Sequence, residues 1–254
     1  MSLARRLALA LGGCACLAST AAAAQTVKLK VAFDPDRAGV RTTIKLALRI
    51  GGPGHAPPVP VTSLALRLPP GMGIATTTLG ESNCDPAALI ARGLHGCSAN
   101  ARMGLGEATA VVPVGSHNVH EKASLNVLMG PSLQNRLEVL FYVEAREPVF
   151  AQLVFPSVFA EDRPPFGEQL DTAITLVQAW PSGPNLALET FDSTIGPLHL
   201  TYHRQVNGKT ISFHPHGVRV PRACPAGGYP FGALLGFQDG TSATARYHVA
   251  CPSR

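Results

Sequence analysis

The sequence contains no G-x-S-x-G elbow, no H-E-x-x-H pair and no glycine-rich dinucleotide fingerprint, so the enzymes those motifs mark have no support here. Beyond the N-terminus, no apolar run approaches the ~20 residues of a membrane-spanning helix. Lys and Arg are scattered, and the net charge of +5 includes Arg5 and Arg6. Without a basic or acidic block, neither nucleic acid nor a strongly acidic partner is implied. Aromatics are 6% of the chain and Trp180 is its one tryptophan, so no aromatic carbohydrate platform is advertised. Glu138 and Glu144 share a strand face but stand about 20 Å apart along it, against roughly 5–10 Å for paired glycosidase acids. Asp171, Glu189 and Asp192 could meet only through the fold. The string "GKT" at 208–210 is no phosphate loop, because His203 stands where that motif requires its first glycine.

What is present begins with "MSLARRLALALGGCACLASTAAAAQ". Two arginines, an apolar run from Leu7 to Leu17 and an A-x-A at 22–24 predict a secretory signal peptide over 1–24. "LGGC" offers a second reading, a lipoprotein attached through Cys14. The mature chain from Gln25 is about 230 residues, enough for one large or two small β domains. Its location is then extracellular or cell-surface, with an unidentified partner there and no transmembrane segment. Four cysteines remain, Cys84, Cys97, Cys224 and Cys251. An even count in an oxidising compartment points to disulfides. Three pairings are possible, and sequence neighbours suggest 84–97 and 224–251.

Short segments of period-two alternation broken by Gly, Pro, Asn or Asp dominate the chain. They include "KLKVAF", "TTIKLALRI", "VTSLALRLP", "EATAVVPV", "ASLNVLM", "RLEVLFYVEA", "AQLVFP", "TAITLVQA", "LHLTYHR" and "TISFHPHG". This pattern predicts an all-β fold of immunoglobulin-like β-sandwich architecture, one large sandwich or two small ones over 25–114 and 115–254. One short helix interrupts it at "CDPAALIARGLHGC": Asp85 suits the N-cap, Pro86 the first helical position and Gly93 the left-handed stop. Two turns of helix would fold Cys97 back toward Cys84. "FDPDRAG" (33–39) hints at calcium through its D-x-D, but it lacks the further ligands of a calcium loop and reads as a turn.

Two hairpins can be registered by parity. Asn207-Gly208 is the preferred centre of a two-residue type I′ turn, setting Tyr202 opposite Phe213 and Arg204 opposite Ile211. Extended further, that register places His199 opposite His216 and Thr201 opposite His214, with His203 on the same face. His199, His203, His214 and His216 are therefore candidate ligands for Zn²⁺, Cu²⁺ or Ni²⁺. A solvated, histidine-rich strand face is the plainer alternative, and Pro215 weakens pairing there. At the C-terminus "FQDGT" suits a three-residue loop with Gly240 left-handed, pairing Tyr229 with Val249 and Phe231 with Tyr247. Cys251 then faces inward opposite Gly227, and a 224–251 bond clasps the hairpin.

The segment "LRLPPGMGI", then Cys84, the short helix, Gly93, Cys97 and "MGLGEATAVVPVG", resembles an uncharacterised group of exported β-sandwich proteins of high-GC bacteria. The likeness continues through "STIGPLHLTYHR" to the Cys-Pro…Cys-Pro hairpin. It departs at Ser98, where the group has proline, and at "ARMG" (101–104). The resemblance implies an exported, disulfide-linked β protein and transfers no catalytic or binding residue. A looser similarity to exported copper-binding β-sandwich domains stops at "AGVRTTIKLALRI…LRLPPGMGI", and Gln25 stands where those begin with a ligand histidine. The functional expectation is a non-enzymatic structural or interaction module. A histidine-face metal protein and a cell-wall hydrolase without a sequence motif are the alternatives.

Overall fold

The computed structural model describes residues 24–252 except 75–77 and 149. The expected signal peptide, with Cys14, lies outside the described residues up to residue 23. Fifteen strands follow. β1 (Thr26–Asp34), β2 (Arg41–Gly51), β3 (Val61–Leu68) and β4 (Gly73–Ile74) precede α1 (Pro86–Arg92), the single α-helix among the described residues. β5 (Arg102–Val114), β6 (His117–Met129), β7 (Glu138–Glu147), β8 (Ala151–Glu161), β9 (Glu168–Ala173) and β10 (Ala187–Ile195) form the middle of the chain. β11 (Tyr202–Val206), β12 (Lys209–Phe213), β13 (Val218–Arg219), β14 (Tyr229–Phe237) and β15 (Ser242–Val249) complete it.

Thirteen strands make one antiparallel sheet in the order β15-β14-β3-β9-β8-β7-β6-β5-β10-β2-β13-β4, with β1 on the other side of β2. The sheet curls until β1 lies beside β15, so a single strand path supplies both layers of the sandwich. Period-two alternation dictates this. On β1, Leu29, Val31 and Phe33 are buried while Lys28, Lys30, Ala32 and Asp34 face water. On β2, Leu46, Leu48 and Ile50 are buried, and β14 adds Phe231, Ala233, Leu235 and Phe237. Each of the Val, Leu, Ile and Phe side chains among these contributes roughly 1.5–3 kcal/mol when fully buried. The expected division after residue 114 falls at the tip of the β5–β6 hairpin, and the strands on either side belong to the same sheet.

A second, smaller core lies outside the sandwich. Asp85 caps α1 by accepting from Ala87 N–H at 3.0 Å, and Gly93 ends it with φ +58°. The Cys84–Cys97 disulfide holds the returning chain. Leu89 and Cys84 thereby cover Leu140 and Tyr142 on the outer face of β7, together with Leu128 of β6.

Two expected strands need revision, and one strand was not expected. β10 is absent from the sequence pattern although it joins β2 to β5. A bulge between Leu188 and Thr190 breaks its alternation, and Gly104 and Gly106 of β5 face its backbone, with 2.4 and 2.0 Å to carbonyl oxygens from where a Cβ would stand. "TAITLVQA" enters a strand only at its start, because β9 ends at Ala173. "LHLTYHR" begins its strand at Tyr202, after a left-handed His199 and a turn that bonds Leu200 N–H to Pro197 O.

Candidate functional site: an apolar pocket inside the sandwich

Cross-strand register aligns four small side chains in one row on the inner face. Ala108 of β5 pairs with Ala123 of β6, Ala123 with Ala145 of β7, and Ala145 with Ala151 of β8. The next inner row carries Leu125, Val143 and Leu153. Four alanines side by side leave the volume that larger residues would have filled. The result is a pocket of about 150 Å³ walled on its other sides by Val61, Leu64, Phe141, Phe155, Leu188 and Phe191. Ile174, Leu176 and Val177 form its rim, in a segment held by the Ile174 N–H···O Thr62 and Leu186 N–H···O Val177 bonds at 2.9 and 2.8 Å. Thr172, Thr175, Gln178 and the buried Glu121 are the polar residues of the wall. A mostly apolar pocket of this size suits a small hydrophobic ligand. Sequence reasoning did not find it. The available signal was an alanine in each of "EATAVV", "KASLNV", "VEARE" and "FAQLVF", meaningful only once four strands were in register.

The histidine set is not gathered. The ladder of β11 and β12 matches the expected register from Val206↔Lys209 to Tyr202↔Phe213 and ends there. His203 Nδ1 meets Ser212 Oγ at 3.0 Å across the hairpin. His214 leaves the ladder and donates from Nδ1 to Leu200 O at 2.8 Å. His216 gives its N–H to Thr78 Oγ1 at 2.9 Å, and His199 sits at φ +64°. The physical cause is Pro215, which has no N–H for the ladder, together with the Pro197–Leu200 turn. Among the described residues no group of three or more His, Cys, Asp or Glu is placed to hold a metal ion.

Both disulfides join the neighbours that the sequence suggests, Cys84–Cys97 and Cys224–Cys251. The C-terminal register is also as expected, with Tyr229↔Val249 and Phe231↔Tyr247 and Gly240 at φ +81°. One detail is corrected: Cys251 is exposed rather than inward, because the chain has left the ladder after Val249.

The acids are spread over the outer face. Glu144 accepts from Tyr142 O–H at 3.0 Å and pairs with Arg146. Burial pushes the Glu138 carboxyl up. Glu189 meets His120 at 2.9 Å, and Asp171 accepts from Gln169. Glu107 and Asp192 are opposed across β5 and β10, but Asp192 is tied to Arg49 at 2.8 Å and its side chain is 42% exposed.

Fold and pocket together define a disulfide-braced all-β sandwich with an apolar interior site. Comparison with protein-family models, with curated proteins and with solved structures finds no match. Among the described residues no helix is long and apolar enough to cross a membrane.

Proposed function

We propose that this chain is an exported, non-enzymatic binding module of the cell surface or its surroundings, and that it takes an apolar ligand into the pocket behind the alanine row. The registered row Ala108–Ala123–Ala145–Ala151 carries this reading. A close-packed interior normally has few voids larger than water, and this one coincides with a single row on four neighbouring strands. Export rests on the N-terminal pattern of residues 1–24 and is supported by two disulfides, which persist in oxidising compartments. The resemblance to exported β-sandwich proteins of high-GC bacteria points the same way.

The test uses N-phenyl-1-naphthylamine, a neutral dye that fluoresces in apolar surroundings. The wild-type protein should enhance its emission saturably. Ala145→Phe, which places a ring in the pocket, should abolish the enhancement while circular dichroism stays unchanged. A wild type without enhancement, or a folded Ala145→Phe variant that binds equally, would overturn the reading. Export is checked by N-terminal sequencing of protein from the culture medium and cell surface. A mature chain starting at Gln25 supports it, and retention of the intact precursor inside the cell refutes it.

A further inference from the structure

A second apolar cavity, of about 220 Å³, lies further along the same interior. The two are in line on shared strand faces. On β9, Thr172 lines the first and Leu170 the second; on β3, Leu64 lines the first and Leu66 the second. On β8, Phe155 faces one and Phe159 the other, with Ser157 between them. From Ala145 to Phe141 the first cavity follows β7 for ~13 Å, and the stretch from Ala145 to Leu137 that holds both cavities is ~27 Å long, with buried Val139, the partner of Ser157, between them.

The partition is small on the β8–β9 side. Ser157 is 0% exposed and Thr172 5% exposed, and their hydroxyls bond to each other at 2.7 Å. Thr172 donates to Ser157 Oγ, which in turn donates to Phe155 O at 3.5 Å, so both hydroxyl protons at the neck have an acceptor within the protein. No lysine or arginine lines either cavity among the described residues, while Glu121 stands in the wall of the first and Glu168 in that of the second, so nothing there is built to grip an anionic head. An arrangement of two apolar spaces in line along the same strands matches one extended chain better than a compact ring system. One leaflet of a bilayer's ~30 Å hydrocarbon core is about the length of one acyl chain, ~15 Å, which exceeds the first cavity and requires the second.

Resting on the ligand-binding reading above, we infer that the ligand is a single unbranched alkyl chain, which fills the first cavity and passes the Ser157–Thr172 neck into the second, its uncharged head remaining outside. The experiment is displacement of the naphthylamine dye by alkyl maltosides of increasing chain length, below their micelle concentrations. Affinity should rise about fourfold per methylene, the ~0.8 kcal/mol of one buried CH₂, until the chain fills both cavities. Ser157→Leu closes the neck and Leu68→Phe fills the second cavity from its far end. Each should keep the affinity of short chains and end the rise at a shorter chain, and either variant suffices if the other does not fold. A wild-type rise that stops at the same length as in these variants overturns the inference while leaving the apolar pocket standing. Failure of every chain length and of the dye overturns both.

Discussion

Arg67 shows how one side chain ties a loop to the sheet. From β3 its Nε and Nη2 donate to the two carboxylate oxygens of Asp162 at 2.6 and 2.7 Å. The guanidinium also lies 4.2 Å from the ring centre of buried Phe166. Asp162 is only 6% exposed and accepts a third bond from Arg163 N–H. Nothing local in the sequence announces this pair: Arg67 reads as an outward strand position, and its partner is 95 residues away. Planar, two-point pairing of this kind is stronger than an exposed ion pair. Replacing Arg67 with Ala should therefore lower unfolding free energy by about 2 kcal/mol, read from urea denaturation. The hydrogen bonds from Arg67 hold the Asp162 carboxyl below the usual carboxylate range. A folded value below the unfolded ~3.9 means the stabilisation is present above about pH 4 and is lost as pH falls through the folded value. Asp162→Asn should flatten that acid limb of the stability profile. An acid limb identical to wild type would show that Asp162 contributes nothing to it.

Among the elements, those specified by local chemistry were legible and those specified by distant partners were not. Asp85, Pro86 and Gly93 announce α1 because capping and the left-handed stop involve only neighbours. Asn207-Gly208 and Gly240 announce their turns for the same reason, with φ of +50°, +74° and +81°. β10 was hidden because its bulge destroys the period-two pattern. β4 and β13, two residues each, are too short to show a period. The histidine register failed where parity was carried past the last ladder pair, Tyr202↔Phe213. Tyr202 itself is pulled inward, donating its O–H to Arg102 O and accepting from Gly80 N–H. The disulfide-held helix is a cover on the sheet's outer face, and this gives the prediction at this scale. Burial, then the bond to Glu144, pushes Tyr142 up to about 12. Relative to an unfolded ~10, the stabilisation is present below pH ~10 and is lost as pH rises through the folded value. Cys84→Ser with Cys97→Ser should lower stability by about 3 kcal/mol. The double variant should also bring one tyrosine back toward ~10 in a spectrophotometric titration. An unchanged titration would mean that the helix stays seated without its disulfide.

At the scale of the molecule, the curled single sheet turns an ordinary composition into a site. Alanine is abundant along this chain, and in sequence the four of the row are indistinguishable from the rest. They acquire meaning only when four ladders set them side by side, which is why all-β architecture could be anticipated and the pocket could not. A retained void opposes stability, because its walls forgo packing contacts. At ~24 cal/mol per Å³, the 150 Å³ pocket corresponds to an upper figure of ~3–4 kcal/mol. If the space is kept for a ligand, filling part of it should stabilise the empty protein and remove its activity together, the trade expected of a functional site. Ala123→Leu adds three carbons facing the pocket, and should raise unfolding free energy by ~1–2 kcal/mol and Tm by several degrees. The same variant should lose dye binding. A well-packed core would respond in the opposite way, losing ~1–3 kcal/mol to overpacking. The sign of this one substitution, measured by urea and thermal denaturation without any ligand, therefore decides whether the alanine row encloses usable space. Added ligand should then stabilise the wild type in proportion to ln(1 + [L]/Kd) and leave Ala123→Leu unaffected.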